Sequence, residues 1–418
     1  MSPVADDLLA RGPVDGRDAS PDREAIVVSF AELAGELPIS PRIQRTAHLT
    51  EALEREFEFG VARVPDHLGR ASHPSRNSLP GGLARKALSP LVLDHLEIPA
   101  RMLMRRWHPR GRGALLIAWP FSPIYIAASH LVAAGIPYVV DIGDPWVLTE
   151  PAPPGWPRRL SVLRARAAET FLWRHAAAGV VTTETQASDL RALFPDLELL
   201  VRPNGYLAAG EPGVRGGPAD AGTDDAELRL VHFGSINSRR VPIGEWLSAL
   251  PGAAGIRRVR FANYGPVNHP ELVHAEDPAV AVEAHDAVDW ARACQIARSF
   301  DAAVVVGNAD PAKLPSKAIQ YLTLPVPRIA LTVSGDGGEL AAFATQRPGF
   351  VPAGVDSPED IPRLIAHVRR AWSDEELSPS AGDSWAEVAR EIVRFAIQSW
   401  DRAAVPRARA QAEPVATA

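Results

Sequence analysis

The sequence predicts an α/β protein of two similar domains, each a parallel sheet with crossover helices. Three observations lead there. Short apolar runs alternate with amphipathic stretches along most of the 418 residues, a pattern of parallel strands joined by helices. The alternation occurs twice. Between the two runs lies LAAGEPGVRGGPADAGTDDA (207–226), rich in Gly, Pro, Ala and Asp and without periodicity, which reads as a linker. A chain this long also exceeds one ordinary core, so two domains are expected.

The first run occupies 24–206, after a stretch (1–23) expected to be disordered. AIVVSF (25–30) reads as a buried strand. A helix is expected from Pro41, which suits a first helical position, with Ile43, Ala47, Leu53 and Phe57 at roughly helical spacing. FGVARV (59–64) is the next strand, and 65–98 is polar and rich in Pro and Gly. Then come strand ALLIAW, helix SPIYIAASHLVAAG, strand PYVVDIG and an arginine-studded helix from 158 to 176. AGVVTTE (strand), ASDLRALF (helix) and LELLVRPNGY (strand, ending at an Asn-Gly turn) complete the half.

The second run occupies 227–384. LRLVHFG, VRFANYG, DAAVVVGN and RIALTV read as strands. IGEWLSAL, VDWARACQIARSF, LPSKAIQYL, ELAAFAT and IPRLIAHVRRAW read as helices. A last amphipathic helix over 385–403 is expected to pack back on the N-terminal domain, with a frayed tail over 404–418. Two such Rossmann-like halves with a flexible joint predict domains facing each other across a cleft. Parallel sheets offer their ligand loops at the carboxyl ends of strands.

Composition narrows the function. Hydrophobic content is 46% and charged content 22%, ordinary for a soluble protein. The net charge of −6 argues against a general nucleic-acid binder. The single Cys294 excludes an internal disulfide framework and a multi-cysteine zinc site. The acidic N-terminus lacks the apolar core of a signal peptide, and no apolar run reaches the length of a membrane span. A cytoplasmic protein is expected, with no metal and no cofactor.

Only three of the 44 basic residues are lysine, and two of these, Lys313 and Lys317, lie four positions apart. Lysine is a compact point charge, arginine a broad fork. Pro315 and Ser316 can open a helix, which puts Lys317 in its first turn, where anions are favoured. Gln320 and Tyr321, three and four residues on, are expected on the same face. A lysine for phosphate with an amide one turn below for a hydroxyl describes a nucleotide-sugar grip. HFGSINSRR offers a second site: Gly234 for close backbone approach, Ser235 and Asn237 for hydrogen bonds, Arg239 and Arg240 for a diphosphate. DIGDPW places Asp141 and Asp144 beyond a buried strand, able to orient hydroxyls or act as a base, with Trp146 as an apolar wall. Asp144 reads equally as a turn cap before Pro145. GELP, with Gly35, and WPFSP, with Ser122, are two further loops after strands.

GIPYVVDIGDPW, AGVVTTETQASDL, RPNGY, LVHFGSINSRR and LPSKAIQYL, in that order, resemble GT-B glycosyltransferases of the family 4-like group over residues 24–400. The resemblance implies an N-terminal acceptor domain and a C-terminal domain for a nucleotide-sugar donor. It implies that Arg239 or Arg240 and Lys317 contact the donor diphosphate. It also implies that the Gly35 loop and Asp144 lie near the reacting sugar, and that transfer is retaining and metal-independent. The acceptor stays open between a glycan, a lipid-linked sugar and a small molecule. The sequence departs from the family at Gln320, where a glutamate usually binds the donor ribose, and at Ala312 and Gly143. The usual catalytic histidine is also absent. A non-catalytic GT-B homologue that binds a nucleotide sugar or a partner glycosyltransferase is therefore the rival reading. A nicotinamide dehydrogenase would need G-x-G-x-x-G after its first strand, and SFAELAGELPISP lacks it. Arginines 101, 105, 106, 110 and 112, and 158, 159, 164, 166 and 174, cluster in the N-terminal half. Relatives acting on lipid-linked acceptors dock to anionic membranes through such a face; a solvated helix face is the simpler account.

Overall fold

The computed structural model describes residues 23–29, 41–64, 97–105, 107–118, 121–143, 156–206, 226–236, 241–267, 271, 273–308, 310–333 and 338–412. They divide into two compact units, one reaching Arg202 and resuming at Trp385, the other Pro203–Ser384. The 1–23 segment (but for Arg23), the linker (but for Ala226) and most of 65–98 lie outside the described residues.

In the first unit the elements run β1 (Glu24–Val28), α1 (Pro41–Arg55), β2 (Gly60–Val64), α2 (Glu97–Met104), β3 (Gly113–Ile117), α3 (Phe121–Ala134), β4 (Tyr138–Ile142), α4 (Trp156–His175), β5 (Ala178–Val181), α5 (Glu184–Leu193) and β6 (Leu199–Val201). The sheet has the order β2-β1-β3-β4-β5-β6, with every pair parallel. β3, β4 and β5 are buried at every position, as strands covered on both faces must be, so they read as continuous apolar runs. β6 is only three residues long, not the ten of LELLVRPNGY: its ladder with β5 ends at Val201, just before Pro203.

The second unit holds β7 (Glu227–Phe233), α6 (Ile243–Ser248), β8 (Arg258–Tyr264), β9 (Val280–His285), α7 (Trp290–Ala297), β10 (Ala302–Val306), α8 (Ser316–Gln320), β11 (Arg328–Thr332), α9 (Gly338–Thr345), β12 (Phe350–Gly354), α10 (Ile361–Arg369) and α11 (Asp374–Leu377). Its sheet is also parallel throughout, in the order β12-β11-β10-β7-β8-β9. One face packs on α6 and α10 through Trp246, Leu247, Leu364 and Ile365. The other packs on α7, α8 and α9 through Ala293, Ala318, Ile319 and Phe343. Asp289 caps α7 by accepting from the Arg292 amide. β9 and β12 are additions to the expected strands.

The chain then returns to the first unit as α12 (Trp385–Ala412), which contacts α1, β3, β4 and β5. Its buried residues Trp385, Val388, Ile392, Ala396 and Trp400 recur at helical spacing. Trp400 lies against Gly113, where a Cβ would stand 2.2 Å from the indole. Trp385 stacks on His48 of α1 at 5.4 Å. The frayed tail expected from 404 is instead helix as far as Ala412.

Candidate functional site

In the second sheet, β7, β8 and β9 extend one way and β10, β11 and β12 the other, so the strand order reverses between β7 and β10. Ligands of doubly wound sheets bind at such a point, outside the carboxyl ends of the strands. The residues found there are Gly234 and Ser235, after β7, and Lys317 of α8, after β10.

Gly234 has φ +122°, a region that favours glycine. A Cβ there would lie 2.1 Å from Lys317 Nζ and 2.4 Å from its Cε. The lysine stem is thus laid across bare backbone, and Nζ donates to the Ser235 carbonyl at 3.3 Å. Burial pulls the Lys317 pKa from 10.5 down to about 8. Gly265, after β8, has φ +148°, and a Cβ on it would stand 2.5 Å from the Gly234 carbonyl. Two glycines therefore let two strand-end loops and a lysine share one small space.

The surroundings hold this loop still. The Tyr321 hydroxyl accepts from the Phe233 amide at 2.6 Å and donates to the Phe233 carbonyl at 3.2 Å. His232 donates from Nδ1 to the Val304 carbonyl at 2.7 Å, tying β7 to β10. Burial first, and then the charge of Lys317, pull its pKa down to about 3, so the imidazole is neutral. Oδ1 of its register partner Asn263 has no hydrogen-bond partner among the described residues. Arg328, buried, donates to the carbonyls of Tyr321, Leu322 and Leu377 at 3.0, 2.8 and 2.7 Å. It thereby fixes the turn that carries Tyr321.

Several expectations change. Tyr321 is fully buried and serves as a strut for β7, not as a ligand contact. α8 is five residues long and gives way to a 3-10 turn at Tyr321–Thr323, yet Lys317 and Tyr321 keep one face, for Lys317 reaches the Ser235 carbonyl and Tyr321 the Phe233 amide at the end of β7. So short a helix also supplies little dipole; the attraction for an anion comes from Lys317 itself. Gln320 is half-buried, and its amide nitrogen is shut off from solvent. In the first unit Asp141 is 1% exposed, and its two oxygens accept from Arg45 at 2.6 and 2.8 Å. It anchors α1 to β4 and is not poised as a base. Ser122 is fully buried in the first turn of α3, not on an open loop. Gly35, Asp144, Trp146, Asn237, Arg239 and Arg240 lie outside the described residues. Sequence reasoning missed Arg45, His232, Asn263 and Arg328; Arg45, His232 and Arg328 act through partners on other elements, and Asn263 through the Gly265 carbonyl two residues on.

Among the described residues no group of three or more His, Cys, Asp or Glu is placed to hold a metal ion. No described helix is long and apolar enough to cross a membrane.

No family model matches the chain, and no curated protein matches it. Solved structures do. A sucrose-phosphate synthase from Thermosynechococcus elongatus aligns over 93% of this chain and 98% of its own, with a TM-score of 0.51 at 12% identity. A protein assigned as a UDP-N-acetylglucosamine 2-epimerase from Listeria monocytogenes aligns over 90% and 96%, with a TM-score of 0.50 at 10% identity. With the two six-stranded parallel sheets, this likeness establishes the fold as GT-B, two Rossmann-like domains.

Proposed function

We propose that the protein is a glycosyltransferase that moves a sugar from a nucleotide-sugar donor to an acceptor hydroxyl, with retention and without a metal. The observation that carries this reading is Lys317 laid across Gly234 at the reversal of strand order. A buried lysine whose pKa has fallen to about 8 gains most from an anion beside it. A donor diphosphate is such an anion, and it leaves carrying the charge released when its bond to the sugar breaks. The acceptor oxygen forms the new bond to the sugar carbon, and its proton passes to the departing diphosphate. Asp144 is our candidate for orienting that hydroxyl, with Gly35 and Trp146 beside the sugar and Arg239 or Arg240 on the diphosphate. One of the similar structures is named for a UDP sugar, which fits this reading.

Calorimetry with UDP, ADP and GDP tests it. Lys317→Ala is expected to weaken the tightest of them by roughly 1.5–3 kcal/mol, tenfold or more. Near pH 8 the wild type is expected to take up protons on binding, because the diphosphate draws Lys317 back toward its ordinary pKa. Unchanged affinity in the variant overturns the donor site. Two observations favour the non-catalytic alternative: Asp141 is taken up in an ion pair, and glutamine stands at 320 where the resembling family has a glutamate. Binding of a nucleotide sugar with no hydrolysis or transfer would decide for it.

The proposal extends to peripheral contact with an anionic membrane through the first unit. Met102 (74% exposed), Leu163 (61%) and Ile98 (48%) lie on α2 and α4. Arg101 and Arg164 are beside them, both bonded to Glu97. Exposed apolar side chains beside arginines suit a charged lipid surface. The protein is expected to float with phosphatidylglycerol vesicles and not with phosphatidylcholine ones, and Met102→Ser/Leu163→Ser to reduce flotation. Equal behaviour of the variant removes this contact.

A further inference from the structure

The two sheets end in the edge strands β2, β6, β9 and β12. Three of these are guarded. β6 is three residues long, with Pro203 two positions beyond it. β12 carries Pro352 and β2 carries Arg63. Short length, proline and basic side chains keep a sheet from pairing with another. β9 is six residues long and has no proline, lysine or arginine. No described strand pairs with its outer edge. The Val259 amide donates to the Ala279 carbonyl at 2.9 Å and the Gly265 amide to the His285 carbonyl at 3.0 Å. Odd-numbered residues of β9 therefore bond inward to β8, and Val280, Val282 and Ala284 turn their peptide groups outward. Of these groups the Val280 amide is taken by the Asp277 carbonyl at 2.9 Å. The side chains are as open as the backbone: Ala281, Val282, Ala284 and His285 are all exposed.

This edge is complementary to itself. An antiparallel copy of β9 can bond to it only where outward residues meet outward residues. With a two-fold axis at Val282, Val282 faces the same residue of the other copy, Val280 faces Ala284, and Ala281 faces Glu283. The whole strand overlaps and no charge opposes its like. An axis one residue on would set Glu283 against Glu283, which is unfavourable. An axis one residue back would set Ala284 against Pro278, which has no amide to give. Glu283 and His285 thus narrow the registers that the edge accepts and leave this one open. The Glu283 charge is also already met by Arg260, at 2.7 and 3.0 Å. Val280, Val282 and Ala284 share one face of the strand. Pairing about Val282 lays these three on their counterparts and covers Val282, which is 36% exposed.

We infer that β9 is the surface on which a second copy of this chain docks, strand against strand and antiparallel about Val282, so that two six-stranded sheets join into one. The Val282 amide of each copy donates to the Val282 carbonyl of the other. The Ala284 amide of each donates to the Val280 carbonyl of the other. These backbone bonds fix the register, and the small apolar seam beside them adds the rest. So small a contact makes a weak, reversible dimer. The inference stands apart from the donor site and does not depend on it.

Sedimentation equilibrium of the full chain tests it. The mean mass is expected to rise from one chain toward two between roughly 1 and 500 μM, the range of a weak contact. Ala284→Lys, at an exposed site, puts a charge on the edge and should abolish the rise. Val282→Pro removes an outward amide and no bond to β8, and should do the same. Thermal melts check that both variants fold. Cross-linking then reads the register, in a Cys294→Ser background. Val282→Cys sets two thiols across the axis, with Cα atoms about 5.5 Å apart and within disulfide reach. Ala284→Cys sets them four residues apart along the strand, roughly 14 Å and out of reach. Under mild oxidation Val282→Cys is expected to link about tenfold faster than Ala284→Cys or more. A wild type that stays monomeric through this range overturns the proposal and leaves the edge to a strand of another protein or to none. A dimer that both Ala284→Lys and Val282→Pro leave intact lies on another face and also overturns it. Equal linking rates for the two cysteine variants exclude pairing about Val282, and the proposal with it.

Discussion

Asp141→Ala is expected to destabilise the protein by about 3–5 kcal/mol, the usual cost of breaking a buried ion pair from one side. The pair lies between α1 and β4. Arg45 and Asp141 have side chains 4% and 1% exposed. Arg45 Nε and Nη2 donate to the two carboxylate oxygens at 2.6 and 2.8 Å, a bidentate arrangement. Removing the carboxylate leaves a guanidinium deep in the protein without that partner. Asp141→Asn should cost less, because its amide oxygen still accepts one bond. Replacing both residues, Arg45→Met with Asp141→Leu, should recover much of the loss, since a well-packed apolar pair can stand in for a buried ionic one. Urea denaturation measures all three. A single-variant loss below about 1 kcal/mol would place the pair among the weak surface bridges and contradict this account. Turnover retained by the double variant would also settle that Asp141 acts in the fold and not in the chemistry.

That pair shows where the sequence was legible and where it was not. Strands such as β3, β5 and β10 announced themselves, because burial on both faces demands unbroken apolar runs. The edge strands of the second sheet did not. β9, VAVEAH, is largely exposed and carries Glu283 and His285, and β12 contains Pro352, which only an edge tolerates. Such residues protect an edge and erase its signature. The Gly234 and Lys317 loops were both readable, because strand-end glycines and rare lysines leave local marks. Their contact was less so: Lys317 and Ser235 are 82 residues apart, and Arg45 and Asp141 are 96 apart. Tyr321 lies on the face of Lys317, but its hydroxyl is taken up by the Phe233 backbone and its ring is buried, which no local mark in the sequence announces.

The contact between Gly234 and Lys317 gives the other large expectation. Gly234→Ala should weaken nucleoside diphosphate binding by about tenfold to a hundredfold, as the loss of a charged contact would. The new Cβ falls 2.1 Å from Nζ and 2.4 Å from Cε, so the lysine must leave its position over the backbone. The tip of a lysine moves easily, so the clash alone does not unfold the protein. What remains is backbone strain: φ +122° is unfavourable for alanine, and such strain costs roughly 1–3 kcal/mol of stability. Melting should therefore fall modestly while affinity falls steeply. The two substitutions act on one contact, so their effects should not add. In a double-mutant cycle read by calorimetry, Lys317→Ala should cost much less in the Gly234→Ala background than alone. pH supplies an independent check on the free protein. Below about pH 8 Lys317 is protonated in both the folded and unfolded states, and the cost of burying its charge is present in full. As pH rises from about 8 toward 10.5, the folded state sheds the proton first, the unfolded chain binds more protons, and stability gains. Lys317→Met should abolish that gain. Additive losses in the cycle, together with a stability profile in this window unchanged by Lys317→Met, would mean that glycine and lysine are neighbours without a shared task.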